Sequence, residues 1–260
     1  MVVARWGVVT RKKLVWVLAG LLVVVVPLVA AAQRGGGGGF GRRGRALIPN
    51  VEYDGRFILA RVRYTSGSSW SADYPDMERN LSEMIQEITS VPVNVEDPNV
   101  FTLDDPDLMK FPVIYLTEPG YWQPTAEEAQ GLRRFSDKGG FVIFDDFHSP
   151  REWAQFEYGL RDVWPEAQIV PLERDHPVFN SFFEIATLEV PDVAGYDQTA
   201  EFYGIYEDND PSKRLTAVIN YKNDLGDYVE WAQSNRAYQF QPTNEAYKFM
   251  INYVIYGLSR

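Results

Sequence analysis

Residues 141–152, Phe-Val-Ile-Phe-Asp-Asp-Phe-His-Ser-Pro-Arg-Glu, decide the fold. Phe141 to Asp145 is apolar without a break up to its final acid, the pattern of a strand buried on both faces. Ser149 and Glu152 then form a Ser-x-x-Glu capping box. Pro150 takes the first helical position, where its missing N–H costs nothing. Trp153, Phe156, Leu160 and Val163 follow at helical spacing. A buried strand that turns into an amphipathic helix within three residues is half of a β-α-β unit.

The same grammar extends in both directions. Val113–Thr117 (VIYLT) is a second continuous apolar strand, and Thr125 with Glu128 caps a helix that runs to about Lys138 and ends at Gly139-Gly140. Phe57–Tyr64 alternates as a strand does. From Pro75 to about Ser90, Met77, Leu81, Met84, Ile85 and Ile88 share a helical face. Val91–Val95, Gln168–Pro171 and Thr216–Tyr221 read as further strands, and Thr243 to about Leu258 as a closing helix that is apolar nearly all round. Strands separated by helices predict a single α/β domain, a doubly wound and mostly parallel sheet with helices on both faces. Residues 178–212 fit this pattern poorly and read as an insertion or a strand pair without a place.

Composition limits the function. The 260 residues carry a formal charge of −11. Residues 1–45 hold eight basic residues and no acid, so residues 46–260 hold 17 basic against 36 acidic, a net −19. So acidic a body argues against nucleic-acid binding, which needs a basic face. The absence of cysteine excludes disulfides, thiolate metal ligands and a Cys nucleophile. No glycine-rich phosphate loop, dinucleotide fingerprint or Gly-x-Ser-x-Gly occurs in the body, so no cofactor is expected.

The amino-terminal 32 residues have the make-up of an export signal. Arg5, Arg11, Lys12 and Lys13 precede an uncharged run, Leu14–Ala32. Pro27 would end a helix there, leaving an apolar core, Leu14–Val26, before the small residues Ala30-Ala31-Ala32. A cleaved signal peptide and a retained membrane anchor are both open. Either places the body in the periplasm or otherwise outside the cytoplasm, with membrane contact only through the leader if it stays uncleaved. Residues 33–50, with Gly35–Gly39 unbroken, form a Gly/Arg-rich flexible linker, and residues 51–260 form the domain.

Ligands of open parallel sheets bind beyond the carboxyl ends of the strands. Two strand ends here carry chemistry: Glu118 and Trp122 after one, Asp145, Asp146 and His148 after the other. Neighbouring strands would bring these carboxylates into one crevice, where they raise each other's pKa or take up a cation. The alternative is structural, with each acid capping its own turn. Asp175 and His176, beside Pro177, are a second candidate pair if their loop faces the same edge. Trp70 and Trp122 read as loop tryptophans able to stack on a sugar. Asn223-Asp224-Leu225-Gly226-Asp227 has polar side chains and a glycine able to cradle calcium, but it is too short for a twelve-residue calcium loop and reads better as a surface turn. Whether any metal binds is left open.

The segments FTLDDPDLMKFPVIYLTEPG (101–120), LRRFSDKGGFVIFDDFHS (132–149), DHPVFNSF (175–182), NDLGD (223–227) and AYKFMINYVIYGL (246–258) occur in this order. Together they resemble the bacterial domain of unknown function 4159, from about residue 55 onward. The resemblance implies the flavodoxin-like fold of class I glutamine amidotransferases and no established activity. Amidotransferases place a nucleophilic Cys in the turn that corresponds to Asp146–His148. Phe147 stands there, so glutaminase chemistry is excluded. The family's glycine-rich turn after the first buried strand is replaced by Thr117-Glu118-Pro119-Gly120, so the resemblance carries no ligand over to this loop. The expectation is a binding or assembly module engaging a protein or glycan partner, with a carboxylate- and His-dependent hydrolase of glycan or amide bonds as the alternative.

Overall fold

The computed structural model describes residues 48–96, 98–190, 198–233 and 240–259. The leader and nearly all of the linker lie outside these. Among the described residues no helix is long and apolar enough to cross a membrane.

The domain is α/β, a doubly wound sheet of seven strands consistent with a flavodoxin-like fold. In chain order the strands are β1 (Ala60–Val62), β2 (Asn99–Phe101), β3 (Val113–Thr117), β4 (Phe141–Asp145), β5 (Val170–Pro171), β6 (Glu201–Tyr206) and β7 (Leu215–Tyr221). Their spatial order is β2-β1-β3-β4-β7-β6-β5. The first five of that order are parallel. β6 runs antiparallel to β7, and β5 antiparallel to β6. The helices are α1 (Asp76–Ile88), α2 (Ala126–Asp137), α3 (Pro150–Val163), α4 (Leu225–Glu230) and α5 (Phe240–Leu258).

β3 and β4 are adjacent at the centre and pair along their full length, from Val113 with Phe141 to Thr117 with Asp145. Both are buried throughout. Side chains alternate faces along a strand, and the two cores follow that alternation. Val113, Tyr115, Phe141 and Ile143 meet α1, α4 and α5. Ile114, Leu116, Val142 and Phe144 meet α2 and α3. Each fully buried large apolar side chain contributes about 1.5–3 kcal/mol relative to exposure. Both capping boxes form, Thr125 with Glu128 and Ser149 with Glu152.

Some expected elements change. Within Phe57–Tyr64 only Ala60–Val62 is regular strand, and Val91–Val95 is reduced to one bridge, Phe57 with Val93. Pro92 O accepts from the Phe57 N–H and Phe57 O accepts from the Asn94 N–H, but Pro92 has no N–H of its own with which to extend the ladder. The unplaced region 178–212 supplies β6, the antiparallel partner of β7. β2 had no clear sequence signal. Its outer edge is sealed by reciprocal amide pairs. Asn50 Nδ2 donates to Val100 O (2.9 Å) and Asn50 Oδ1 accepts from Val100 N (2.8 Å). Asn99 Oδ1 and Nδ2 do the same for the Val51 N–H and C=O (2.8 and 3.0 Å).

Candidate functional site

Four connections meet at the carboxyl edge of the parallel strands, and each holds a non-glycine residue in the left-handed region. Glu118 (φ 47°), Asp146 (φ 65°) and Lys222 (φ 58°) directly follow β3, β4 and β7. Asp73 (φ 61°) lies in the β1–α1 loop. Asp and Asn accept this conformation more readily than Glu or Lys, and such strain gathers where a surrounding structure imposes it.

Asp145 ends β4 and is fully buried. Its Oδ2 accepts from Tyr115 Oη (2.7 Å) and from the Leu225 and Gly226 N–H groups (3.1 and 3.0 Å). Its Oδ1 accepts from Asn220 Nδ2 (2.9 Å), and Asn220 Oδ1 accepts from Tyr253 Oη (2.9 Å). Burial raises the Asp145 pKa while these donors pull it down. Asp145 therefore fastens the start of α4 and the centre of the sheet to each other.

Asp146 turns to the other side of the chain. Its Oδ2 accepts weakly from Thr117 Oγ1 (3.4 Å), and its Oδ1 stands 3.6 Å from His148 Nε2. The two side chains are only 14% and 13% exposed, so little of either meets solvent. Burial pushes the Asp146 carboxyl up to about 7; His148 opposes the rise, and Glu118, Asp145 and Asp227 add to it. Glu118 is buried too, with its backbone tied to Tyr64 Oη and to β4.

Sequence reasoning missed Asp73 and Glu230, and set Asp224 and Asp227 aside as a surface turn. Carboxylate oxygens of Asp73, Asp146 and Asp224 lie within 4.8 Å of one another, and those of Asp73, Asp227 and Glu230 form an overlapping set. Asn223-Asp224-Leu225-Gly226-Asp227 is thus not a surface turn: Asn223, Asp224, Leu225 and Gly226 are buried, and Asp224 caps α4 through the Asp227 N–H (2.8 Å). Burial and mutual repulsion raise the Asp73 and Asp224 carboxyls well above the usual range. The fully buried Arg61 is paired with Glu78 and lies over the Tyr115 ring (4.6 Å), and its charge opposes the rise of the Asp73 carboxyl. Asp73 carries no motif, and only the fold brings it in.

The remaining candidates lie elsewhere. Trp122 is fully buried against Phe144 and offers no face to a sugar. Trp70 packs on Tyr74. His176 accepts from the Val178 N–H through Nδ1 (3.1 Å), and its ring lies against Tyr206 and Tyr256. Tyr206 pairs with Leu215, where β7 begins. His176 and the exposed Asp175 are therefore at the amino edge, opposite His148. A cavity of about 610 Å³ opens at that same edge between Arg133, Trp164 and Arg214. Both arginines already hold backbone carbonyls there, Asp162 and Val163 at the end of α3 for Arg133, Ser136 near the end of α2 and Gly140 before β4 for Arg214.

These features define a doubly wound α/β domain with a buried carboxylate cluster on its carboxyl edge. Residues 58–258 match the family described as domain of unknown function DUF4159, and the chain belongs to it. No curated protein matches the sequence.

Proposed function

We propose that this chain is exported and works outside the cytoplasm as an amidotransferase-like binding module without the glutaminase nucleophile, taking a cationic ligand at its carboxyl edge. The observation that carries this reading is the convergence of Asp73, Asp146 and Asp224 oxygens within 4.8 Å. Buried like charges that close repel strongly, and a bound cation relieves them. The ligand is an inorganic ion, or the ammonium or guanidinium group of a protein or glycan partner. Export is supported by the basic flank, the Leu14–Val26 core and Ala30-Ala31-Ala32. The hydrolase alternative draws less support, because Asp145 is held by four donors and His176 lies on the far edge.

Calorimetry of the full chain with calcium, magnesium, arginine amide and glucosamine tests the binding reading. Heat from at least one cation, lost in Asp146→Asn, is expected; silence from all four overturns it. Amino-terminal sequencing of the expressed protein should find Gln33 first, outside the cytoplasm. A protein recovered from the cytoplasm with its leader intact defeats the export proposal.

A further inference from the structure

We infer that His176 is a proton-operated latch. While neutral it holds the loop of residues 175–183 against β6 and α5, and it frees that loop when the surroundings turn acidic. The latch lies at the amino edge, so it stands apart from the proposed cation binding.

His176 Nδ1 accepts from the Val178 N–H (3.1 Å) and so caps the single turn Pro177–Phe179. An imidazole nitrogen accepts only through its lone pair, and protonation takes that lone pair away. Turning the ring over gives no relief, because it presents a C–H instead. The charged ring therefore has no way to cap this turn. Val178 and Phe179 are fully buried, and an N–H left there without an acceptor is costly. Ser, Thr, Asp and Asn are the usual caps, and none ordinarily titrates between pH 5 and 8. Histidine does.

A second pin on the same loop ignores pH. Asn252 of α5, fully buried, accepts from the Phe182 and Phe183 N–H groups (2.9 and 2.7 Å). It donates to Phe179 O and Phe183 O (2.8 and 2.9 Å). Acid thus frees one end of the loop and leaves the other attached. The freed end covers an aromatic surface, since Phe179 packs on Phe202, Phe249 and Tyr253.

The surroundings permit a charged ring. The imidazole lies against Tyr206 of β6 and Tyr256 of α5, and phenols are neutral below pH 8. The charged groups nearest in sequence are Glu173, Arg174 and Asp175 on its own segment, with the Glu207–Arg214 pair beyond Tyr206. Three acids against two bases do not oppose a positive imidazole. The held loop has no place for the proton and the freed loop has one. The hold is therefore complete above about pH 6.5, the ordinary imidazole value, and is lost as the pH falls through it. At pH 5 the freed form gains at most ~30-fold over pH 8. Asp146 acts in the opposite sense, because acid favours its folded form.

The test is amide hydrogen exchange of the full chain, followed by NMR at pH 5 and pH 8 and corrected for the intrinsic effect of pH. Protection at Val178 and Phe179 should fall tenfold or more in acid, while that of Val142–Phe144 does not. His176→Asn keeps a cap that does not titrate and should hold the loop equally at both pH values. His176→Ala should free it at both. If a variant fails to fold, the imidazole nitrogen shifts of the parent decide: a proton must arrive at His176 Nδ1 over the same pH range in which protection is lost. Protection that stays level in the parent, or falls as far in His176→Asn, overturns the latch. So does a protonated Nδ1 in a loop that stays protected.

Discussion

Asp145 and Asp146 are neighbours in sequence with opposite tasks. Asp145 accepts four hydrogen bonds in the interior, so Asp145→Ala leaves several buried donors without a partner. Each such group costs roughly 1–3 kcal/mol, and the variant should lose at least ~3 kcal/mol in urea unfolding. Asp146 answers to pH instead. Its ordinary value is 3.8, and burial raises it to about 7. Between those values the folded state keeps a proton that the unfolded chain has released, so raising the pH through this window removes stability. In chelator, the protein should melt at a lower temperature at pH 8 than at pH 5. Asp146→Asn should remove part of that slope, on the order of a few kcal/mol. An unchanged slope would clear Asp146 as its source. The acid pair was visible in the sequence, but the division of labour was not. It depends on partners far away in sequence, Tyr115, Asn220, Leu225 and Gly226 around Asp145, which only the fold brings together.

The elements that were legible are those whose signals are local. Each capping box holds both partners within four residues, and both form where the spacing placed them. β3 and β4 announced themselves by unbroken apolar runs, which only a strand covered on both faces explains. β2 and β6 did not. β2 has three residues, and β6 was hidden in a region whose partner, β7, follows only after a hairpin. Asp73 and the Asp224 cap escaped for a related reason, since their meaning comes from chain segments about 150 residues apart. Helix packing offers its own test. In an exposed helix Gly→Ala gains about 1 kcal/mol. At Gly131 in α2 the new Cβ would stand 1.9 Å from Leu103 O, a backbone atom with little freedom to yield. Gly131→Ala should therefore destabilise by about 1–3 kcal/mol, and a gain in urea midpoint would show that α2 packs less closely on that loop.

For the whole molecule, stability should grade from the centre of the sheet outward. Amides of Ile114–Leu116 and Val142–Phe144 lie on the two central strands, with helices over both faces. They should exchange most slowly with deuterated solvent, while the two-residue β5 at the rim exchanges early. Equal rates across the sheet would contradict the layered core. The general architecture was readable because alternating strand and helix patterns admit few arrangements. The edges were not, because short rim strands carry little pattern. One rim has a mechanical consequence. Asn50 and Asn99 clasp the entering chain to β2 by four bonds. If the domain is tethered through its amino-terminal side, tension arrives at that clasp before it reaches the core. Pulled along the strand, the four bonds share the force. Pulled away from the sheet, they open in succession, like a zip, so the direction of the tether decides how firmly the domain is held.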